Sequence, residues 1–489
     1  MMKSQSNKTN TQTTLELLAP AGDQQCAKAA VANGADAIYF GLDSGFNARA
    51  RATSISLDVL PEFMAFLHQH GVAGYVTTNI LAFTDELPAL ETTLRRIAEA
   101  GADAVLVQDL GLVHLIRRTA PGLAIHASTQ MSLTSAESIN KVRELGVERV
   151  VLARELSVRE IAQIHENTSM ALEVFVHGAL CVAYSGQCLT SESLGGRSAN
   201  RGQCAQACRL PYELICDGRD VDLADQKYLL SPKDLAAYAL VPQLIDAGAM
   251  ALKIEGRLKT PEYVANITRH YRQAIDSAVA GQPVEFTPLD VEEMELSFSR
   301  GFSVGWLQGC DHKELVPATS SAKRGVLIGE VQDVRHGRVR VRLSRRLKAG
   351  DGLVFEGDRA AGEEQGGRIF CLYRRGKRVQ GELQAGTVEI TFHGESVDVE
   401  KLSPGQKVWK SDDPALSRRL RKTFSGEISG RDVPVEMTVT AKVDQPLQVG
   451  TGQVLHCVVE DALRADAVVI DADGVRTREA TRQPHLALE

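Results

Sequence analysis

Short apolar runs alternate with amphipathic segments along the first 280 residues of the chain. Each run is rich in Val, Ile, Leu and Ala, and a polar junction and a stretch of helical character follow it. Several helical stretches end at a Gly just before the next run, which is a usual stop signal of a helix. Continuous apolar runs between helices indicate a parallel sheet that is buried on both faces. The eight runs are 15–20, 36–41, 73–79, 104–109, 124–129, 149–154, 173–178 and 251–256.

Eight such units within residues 15–280 predict an α/β fold, a (β/α)8 TIM-like barrel, rather than a doubly wound sheet. The first run is not followed by G-x-G-x-x-G, which weakens the dinucleotide-binding alternative. Between the seventh and eighth runs lies a long Cys-rich insertion, residues 179–250. It leaves the C-terminal end of a barrel strand, where barrel enzymes build their active sites, so we expect it to be functional.

The pattern changes after the barrel. Residues 281–322 are predicted to be a linker, and 323–428 a small antiparallel β-barrel domain, because apolar alternation there is broken by Gly-rich turns. Residues 429–489 are predicted to form a partial β-rich segment. Residues 1–14 are polar, lack the apolar centre of a secretory signal and are predicted to be disordered.

Composition narrows the class of protein. The chain has 44% hydrophobic and 24% charged residues, and no apolar run reaches the ~20 residues of a membrane-spanning helix. We therefore expect a cytoplasmic protein with no membrane partner. Nine cysteines without a secretory signal are expected to be mostly reduced thiols.

Positive charge is concentrated in the predicted β-domain. Residues 321–422 carry 22 Lys and Arg against 14 Asp and Glu, although the whole chain has a net charge of −7. A basic module on an acidic body suggests a polyanionic partner, and a solvated β-surface is the alternative. In GRVRVR, Arg338, Arg340 and Arg342 fall on one face of a strand. Such an arginine stripe can follow a phosphate backbone.

Four cysteines cluster in the insertion with the spacing C-x6-C-x15-C-x3-C. Four thiolates on a loop-rich backbone suit an iron–sulfur cluster or a structural zinc ion. Zinc ribbons prefer two C-x2-C pairs, so the looser spacing favours iron–sulfur, and unrelated free thiols are the remaining alternative. Cys216 is a fifth candidate. The four are Cys181, Cys188, Cys204 and Cys208.

Polar residues stand at the ends of the predicted strands, where a barrel mouth gathers them around one cavity. Lys253, Glu255 and Arg257 alternate and so share one side of the eighth run, which suggests an anion-binding mouth or, alternatively, a structural ion-pair belt. His177 precedes the first clustered cysteine and could move protons, while Asp109 could be a helix cap. The remaining candidates are Asn79, His126, Gln130, Arg154 and Glu155.

The segment EVFVHGALCVAYSGQCLTS (173–191) resembles the signature of the collagenase-like peptidases, family U32. Thr190 stands where that signature usually has an aliphatic residue. The segments 18–23, 126–130, 151–157, 196–212, 229–235 and 253–257 also resemble the family, so that the similarity covers residues 15–310. The matching signature positions are Glu173, Phe175, Gly178, Ala179, Cys181, Gly186, Cys188 and Ser191.

The resemblance implies an oxygen-independent hydroxylase that carries a 4Fe-4S cluster. Members of this family act on a transfer RNA uridine, a ribosomal RNA cytidine or the ubiquinone ring, and the RNA enzymes depend on prephenate. Segment 196–212 is most similar to the ribosomal RNA cytidine branch. A collagenase-like peptidase is the alternative, although the sequence has no G-x-S-x-G elbow, no H-E-x-x-H helix and no Cys–His pairing with an orienting third residue. A pure RNA-binding protein is a third class.

We therefore predict an iron–sulfur barrel enzyme that hydroxylates a base in structured RNA, most similar to a ribosomal RNA cytidine hydroxylase, with prephenate as co-substrate. The basic residues of 323–378 are predicted to hold the RNA. Lys253 and Arg257 are predicted to bind an anionic group, which is either an RNA phosphate or a small carboxylate donor. The predicted site residues are the four clustered cysteines as cluster ligands, His177, Glu173 and Glu255 as catalytic groups, and Asn79, Asp109, Gln130, Lys253 and Arg257 as substrate-binding groups.

Overall fold

A computed structural model describes residues 15–48, 54–357, 362–394 and 396–428, together with the backbone of short strands between 437 and 478. The predicted disordered segment 1–14 lies outside the described residues. The chain divides into two compact units, residues 1–429 and 430–489.

Eight parallel strands form a closed barrel in the first unit, which confirms the predicted fold class. They pair in chain order, and the eighth strand pairs with both the first and the seventh. Most of their side chains are buried, as both faces of a parallel sheet require. The strands are Glu16–Ala21, Ala37–Gly41, Ala73–Thr78, Ala104–Val107, Ala124–Ala127, Arg149–Val151, Ala171–Ala179 and Ala249–Ile254.

Helices surround the barrel, and the sequence specifies where they begin and end. Ser157 and Glu160 form a reciprocal capping box at the start of helix Val158–Glu166. Gly101 and Gly146 have φ angles of 76° and 95° just after helices, a conformation that glycine adopts without steric cost. The helices are Gln24–Ala32, Leu60–Gln69, Leu87–Glu99, Leu110–Thr119, Ala136–Glu144, Val158–Glu166, Val241–Asp246 and Pro261–Val279.

The Cys-rich insertion is built from short elements over the C-terminal end of the barrel. It holds helix Thr190–Gly195, the hairpin strands Leu214–Cys216 and Arg219–Val221, and strand Asp234–Ala236, which pairs antiparallel to the seventh barrel strand.

Residues 281–322 differ from the predicted linker. They contain helix Pro288–Ser297, strand Phe302–Ser303, which pairs with Asp234–Ala236, and helix His312–Leu315. Thr287 and Asp290 form a capping box with a Pro at the first helical position, a start signal that composition alone does not reveal.

A second, smaller barrel of six antiparallel strands follows, as predicted. Pairing between strands Gly352–Phe355 and Gly366–Arg374 closes this barrel. The helix that follows the barrel, Pro414–Phe424, packs on helices of the large barrel. In the small barrel the fully buried Lys410 contacts Asp351 at 3.0 Å and Asp413 at 2.8 Å. The six strands are Val326–Arg335, Arg338–Leu343, Gly352–Phe355, Gly366–Arg374, Gly386–Phe392 and Lys407–Asp412.

The second unit contains β-structure in the region predicted to be β-rich. Strands Met437–Thr440, Leu447–Thr451 and His456–Val459 form one antiparallel sheet, and Ala467–Asp471 pairs with Gly474–Arg478. In the described part of the chain no helix has the length and apolar character needed to cross a membrane.

Candidate active site at the barrel mouth

A cavity of about 250 Å³ opens where the barrel strands end, and we call it the mouth cavity. It is smaller than the roughly 300–1,000 Å³ of sites for drug-sized ligands, so it suits a small molecule or a single base. Most of its walls come from strands two to eight, from the segments that follow them and from the Cys-rich insertion. Among the lining residues are Thr77, Gln130, Arg154, Phe175, Lys253 and Arg257.

All four clustered cysteines line the mouth cavity. Cys181 follows the seventh strand, Cys188 precedes helix Thr190–Gly195, and Cys204 and Cys208 come from the next turns of the insertion. Cys216 lies instead on the exposed hairpin and does not line the cavity. The four thiols thus share one cavity, and both their convergence on one point and their role as cluster ligands stay predictions.

The loop that carries the first two cysteines is held against the barrel. Ser185 donates to Glu155 from its backbone N–H at 3.1 Å and from its hydroxyl at 3.0 Å. Gly186 has a φ of 74°, and a Cβ there would lie 2.1 Å from the carbonyl oxygen of Gln130. Asn200 also donates to the Gly186 carbonyl at 2.9 Å. Only a glycine at this position allows such a close approach.

Cys181 is exposed, whereas Cys188, Cys204 and Cys208 are half-buried. Burial raises the pKa of Cys181 and of Cys208, and the neighbouring clustered thiols raise it further. Among the described residues no group of three or more His, Cys, Asp or Glu side chains is arranged to hold a metal ion. Thiolates must converge on the metal in zinc sites and in iron–sulfur clusters alike, so the choice between the two still depends on the spacing of the cysteines.

Positive charge dominates the mouth cavity. Of the described residues that line it, six are Lys or Arg and one, Glu255, is a carboxylate. Glu173 and Asp234 lie behind the wall and pair with two of the cations, which still leaves the cations in excess. A low-dielectric site with excess positive charge favours an anionic ligand. The six cations are Arg154, Arg209, Lys253, Arg257, Lys259 and Arg300.

Glu255 is held by a cation inside the cavity. Arg154 donates to its carboxylate at 3.0 Å, and the same guanidinium lies 3.9 Å from the centre of the Phe175 ring. Both charged side chains line the cavity. Glu255 therefore stands where it could contact a ligand, and its catalytic role stays a prediction.

Arg257 is positioned by one side chain from the segment after the second strand and by one from the end of the third strand. It donates to Asn47 at 3.1 Å and to Thr77 at 2.9 Å, and it is almost fully buried. A Cβ at Gly41 would lie 2.7 Å from its guanidinium, so glycine at that strand end leaves the room that Arg257 needs.

Lys253 and Glu173 form a buried ion pair below the cavity. Their Nζ and Oε1 atoms are 2.7 Å apart, and Arg149 approaches the other carboxylate oxygen at 3.4 Å. Burial alone would raise the pKa of Glu173, but Lys253 and Arg149 outweigh it and hold that pKa below its ordinary value. Glu173 does not line the cavity, so the structure does not bring this predicted catalytic group to the site. The ion-pair alternative describes it better.

His177 is also placed away from the cavity, contrary to the predicted catalytic position. Its ring is buried among Tyr263, Tyr271 and Phe302, and its Nδ1 lies 3.3 Å from the Tyr271 hydroxyl. Burial lowers its pKa to about 3. The pairing of the seventh and eighth strands is irregular at this point, and such a bulge turns a side chain to the other face of a sheet.

Of the three remaining predicted substrate-binding residues, two line the cavity and one does not. Asn79 and Gln130 line the cavity, and the amide of Asn79 donates to the side chains of Ser128 and Gln130 at 3.1 Å. Asp109 does not line it. Its carboxylate caps helix Leu110–Thr119 and accepts from the N–H of Ala82, so the cap alternative is the one observed.

Sequence reasoning missed three cations of the cavity. Arg209 donates to the hydroxyl of Ser231 at 2.8 Å, and Arg300 pairs with Asp234 at 3.0 Å. Burial, with Arg300 close by, lowers the pKa of Lys259 to about 8. Arg209 and Arg300 come from segments that pack beside the mouth only in three dimensions. Lys259 lies two residues beyond Arg257, and this spacing was an available signal.

The arginine stripe of the small barrel is neutralised by its neighbours. Val339 and Val341 are fully buried, as the alternation predicted. The three arginines on the other face each contact a carboxylate within 3.3 Å, so the stripe presents little free positive charge. The pairs are Arg338 with Glu389, Arg340 with Asp333, and Arg342 with Glu330.

A basic hairpin, residues 374–378, presents positive charge differently. Arg374, Arg375, Lys377 and Arg378 are exposed. The structure describes no ion pair between any of them and another described residue. Arg375 and Gly376 have φ angles of 51° and 75°, which is the backbone of a tight two-residue hairpin turn.

The fold and the mouth cavity define a (β/α)8 barrel protein with a thiol-rich, cationic site. Residues 22–317 match the model of Peptidase family U32, which is more than half of the chain. The chain therefore belongs to that family, and the resemblance drawn from residues 173–191 is confirmed.

Proteins with sequences similar to this chain differ in their activities. The chain is 40% identical over 350 residues to the 23S rRNA 5-hydroxycytidine C2501 synthase of Escherichia coli K12, an alignment that covers 69% of this chain and 52% of that protein. It is 35% identical over 353 residues to tRNA hydroxylation protein P1 of Bacillus subtilis 168, covering 70% and 83%. It is 29% identical over 420 residues to a collagenase of Porphyromonas gingivalis W83, covering 81% and 98%. The chain thus spans about half the length of the E. coli relative.

A solved structure of the U32 peptidase Mk0906 also aligns with this chain. The TM-score is 0.36 at 15% identity, and the alignment covers 52% of this chain and 97% of that one.

Proposed function

We propose that this protein hydroxylates a base in structured RNA. The observation that carries the proposal is the mouth cavity, where four thiols and six cations meet in a space the size of a small ligand. Relatives that the chain matches over about 70% of its length include an rRNA 5-hydroxycytidine synthase and tRNA hydroxylation proteins. A ribosomal RNA cytidine is the proposed target, because the identity is higher to the former.

The four thiols are the proposed ligands of a 4Fe-4S cluster. Cys181, Cys188, Cys204 and Cys208 supply the soft donor set that iron–sulfur clusters take, and they share one cavity. When bound, such a cluster supplies one-electron transfer beside the substrate.

The cations of the cavity are proposed to bind an anionic co-substrate, and prephenate is the proposed co-substrate. Arg257 is pre-positioned by its hydrogen bonds to Asn47 and Thr77, so little conformational entropy is lost on binding. Lys259, with its pKa near 8, is the proposed group for holding or moving a proton near neutral pH. Glu255, oriented by Arg154, is proposed to accept a hydrogen bond from the ligand.

The proposal is tested by comparing RNA from a strain that lacks the gene with RNA from the complemented strain. Nucleosides from ribosomal and transfer RNA are separated, and the mass of each is measured by mass spectrometry. We expect one nucleoside to lose the mass of one oxygen atom in the deletion strain and to regain it with the wild-type gene, but not with Cys181→Ser. Identical nucleoside profiles in both strains would overturn the proposal. Iron and sulfide assays on anaerobically purified protein test the cluster separately.

One observation favours the alternative of a cysteine peptidase. The thiol of Cys310 lies 3.0 Å from Nε2 of His312 on an exposed groove beside the cavity. In the described part of the chain, by contrast, no His lines the mouth cavity. Casein cleavage by highly pure, metal-stripped protein that disappears with Cys310→Ser would support the peptidase. We expect no cleavage by either form.

A further inference from the structure

Tyr184 stands at the lip of the mouth cavity with its ring in solvent. It lines both the cavity and the neighbouring groove, and 72% of its surface is exposed. No other large apolar side chain among the described residues is as exposed. Its ring and hydroxyl make no aromatic contact or hydrogen bond with the described part of the chain. Tyrosine is enriched at binding interfaces, because its apolar ring and its polar hydroxyl can both contact a partner.

The backbone beside Tyr184 is fixed, so the ring is presented from a defined position. The N–H of Gln187 donates to the Tyr184 carbonyl at 3.0 Å, which closes a turn. The next residue, Ser185, makes two hydrogen bonds to Glu155, and Gly186 packs against the carbonyl of Gln130. A ring on a fixed loop loses little conformational entropy when a ligand packs on it.

The chemistry around the ring indicates what it contacts. Behind Tyr184 the cavity holds six Lys and Arg side chains, whereas Glu255 is the carboxylate that lines it. A flat apolar surface next to concentrated positive charge matches a nucleobase attached to phosphate groups, and the six cations outnumber the two carboxylates of the proposed prephenate. Proteins bind unpaired bases in this way, with aromatic rings stacking on bases and cations contacting the backbone. The excess of cations disfavours an apolar protein partner, which would leave those charges unpaired.

We propose that Tyr184 stacks on an unpaired base of the RNA substrate and so selects single-stranded or looped RNA at the cavity. This inference rests on the proposed function, because it takes RNA to be the ligand of the mouth cavity. It adds a positioning residue and a structural requirement on the substrate. A base within a continuous duplex cannot reach the ring, whereas a base in a loop can.

The test uses the full-length protein purified anaerobically and two fluorescent RNAs of equal length. One RNA is a hairpin with an open loop, and the other is a fully paired duplex. Tyr184→Leu keeps apolar bulk but removes the aromatic face, and Tyr184→Phe keeps the face. We expect Tyr184→Leu to weaken binding of the looped RNA by about 5- to 100-fold, the range for loss of one stacked base, and to leave duplex binding unchanged. Tyr184→Phe should bind like the wild type.

Leu194→Ala is the matched control, because Leu194 is an exposed apolar residue of the same insertion that does not line the cavity. Iron and sulfide content is measured for each variant, so that a damaged loop is distinguished from the loss of base stacking.

If Tyr184→Leu loses iron, the affinities for looped and duplex RNA are compared in the wild type and in Tyr184→Phe alone. The inference requires both of these proteins to bind the looped RNA more tightly than the duplex, and equal affinities would overturn it. Equal binding of looped RNA by Tyr184→Leu and wild type would overturn the stacking inference alone. Failure of the wild type to bind either RNA would overturn the proposed function as well. A change in sedimentation with unchanged RNA binding would assign Tyr184 to a protein contact instead.

Discussion

Lys259 lines the mouth cavity, and its pKa lies close to physiological pH. Its amine lies over the ring of Phe298, and burial lowers its pKa to about 8. As the pH rises through 8, Lys259 loses its positive charge, whereas the carboxylates of a ligand such as prephenate stay ionised. We therefore predict that prephenate binding, measured by calorimetry, weakens between pH 7 and pH 9.

Replacement of Lys259 by Met should remove this dependence. At pH 7 the variant should bind prephenate about tenfold or more weakly, because a hydrogen bond to a charged group contributes roughly 1.5–3 kcal/mol. Lys141→Met, an exposed lysine on a barrel helix, is the control and should change nothing. A Lys259→Met variant with the wild-type pH profile would show that Lys259 does not contact the ligand.

The buried pair of Lys253 and Glu173 gives a prediction about stability. Both side chains are almost fully buried, so Lys253→Met leaves the Glu173 carboxylate with Arg149 alone. Loss of one partner from a buried ion pair costs about 3–5 kcal/mol, which urea unfolding can measure. Adding Glu173→Gln to Lys253→Met should recover part of this loss. The exposed pair Lys141–Glu144 is the comparison, and Lys141→Met should leave the unfolding midpoint unchanged.

At the scale of elements, the loop of residues 181–188 connects the barrel to the proposed cluster site. Gly186→Ala would place a Cβ 2.1 Å from the carbonyl of Gln130 and so displace Cys181 and Cys188. We predict a large loss of iron per protein chain after anaerobic purification. Gly196→Ala is matched to it, because Gly196 also has a positive φ, lies in the same insertion and has no atom within 4 Å of the added Cβ. Gly196→Ala should cost about 1–2 kcal/mol of stability and keep its iron. Equal iron content in both variants would contradict this account of the loop.

The elements also show how far the sequence determines the fold. Eight apolar runs predicted eight barrel strands, because a parallel sheet buried on both faces leaves a continuous hydrophobic signal. Helix Pro288–Ser297 was missed, because its signal is a local capping box rather than an apolar pattern. His177 was proposed from its position at the end of the seventh strand, and the irregular pairing of the seventh and eighth strands there leaves no local signal in the sequence.

The candidate site was predictable to the extent that it is local in sequence. The four cysteines and Lys253, Glu255 and Arg257 stand in two short segments, and spacing alone was enough to find them. Arg209 and Arg300 reach the cavity only through tertiary packing. The pairing of Lys253 with Glu173 likewise depends on the closure of the barrel, which no local pattern describes.

At the scale of the whole molecule, charge is distributed unevenly, because the chain as a whole is acidic but its β-domain is basic. The net charge of the chain is −7, whereas residues 321–422 carry 22 Lys and Arg against 14 Asp and Glu. Long-range attraction to the proposed RNA substrate therefore has to come from groups that are both exposed and not already neutralised. The basic hairpin meets both conditions, and the arginine stripe does not. The expected RNA contact thus moves from the stripe to the hairpin within the predicted region 323–378.

Two triple variants test this assignment, because they remove the same amount of charge from the same domain. The first changes Arg374, Arg375 and Arg378 to Gln, and the second changes Arg338, Arg340 and Arg342 to Gln. Each phosphate contact contributes about 0.7 (single strand) to 0.9 (duplex) to the slope of log affinity against log salt concentration, so the hairpin variant should flatten that slope by up to about 2.1–2.7. The stripe variant should flatten it much less, because its arginines are held by carboxylates. Iron content should stay at the wild-type level in both. A larger effect of the stripe variant would return the RNA contact to the strand face, and equal slopes in all three proteins would mean that the β-domain does not contact the RNA backbone.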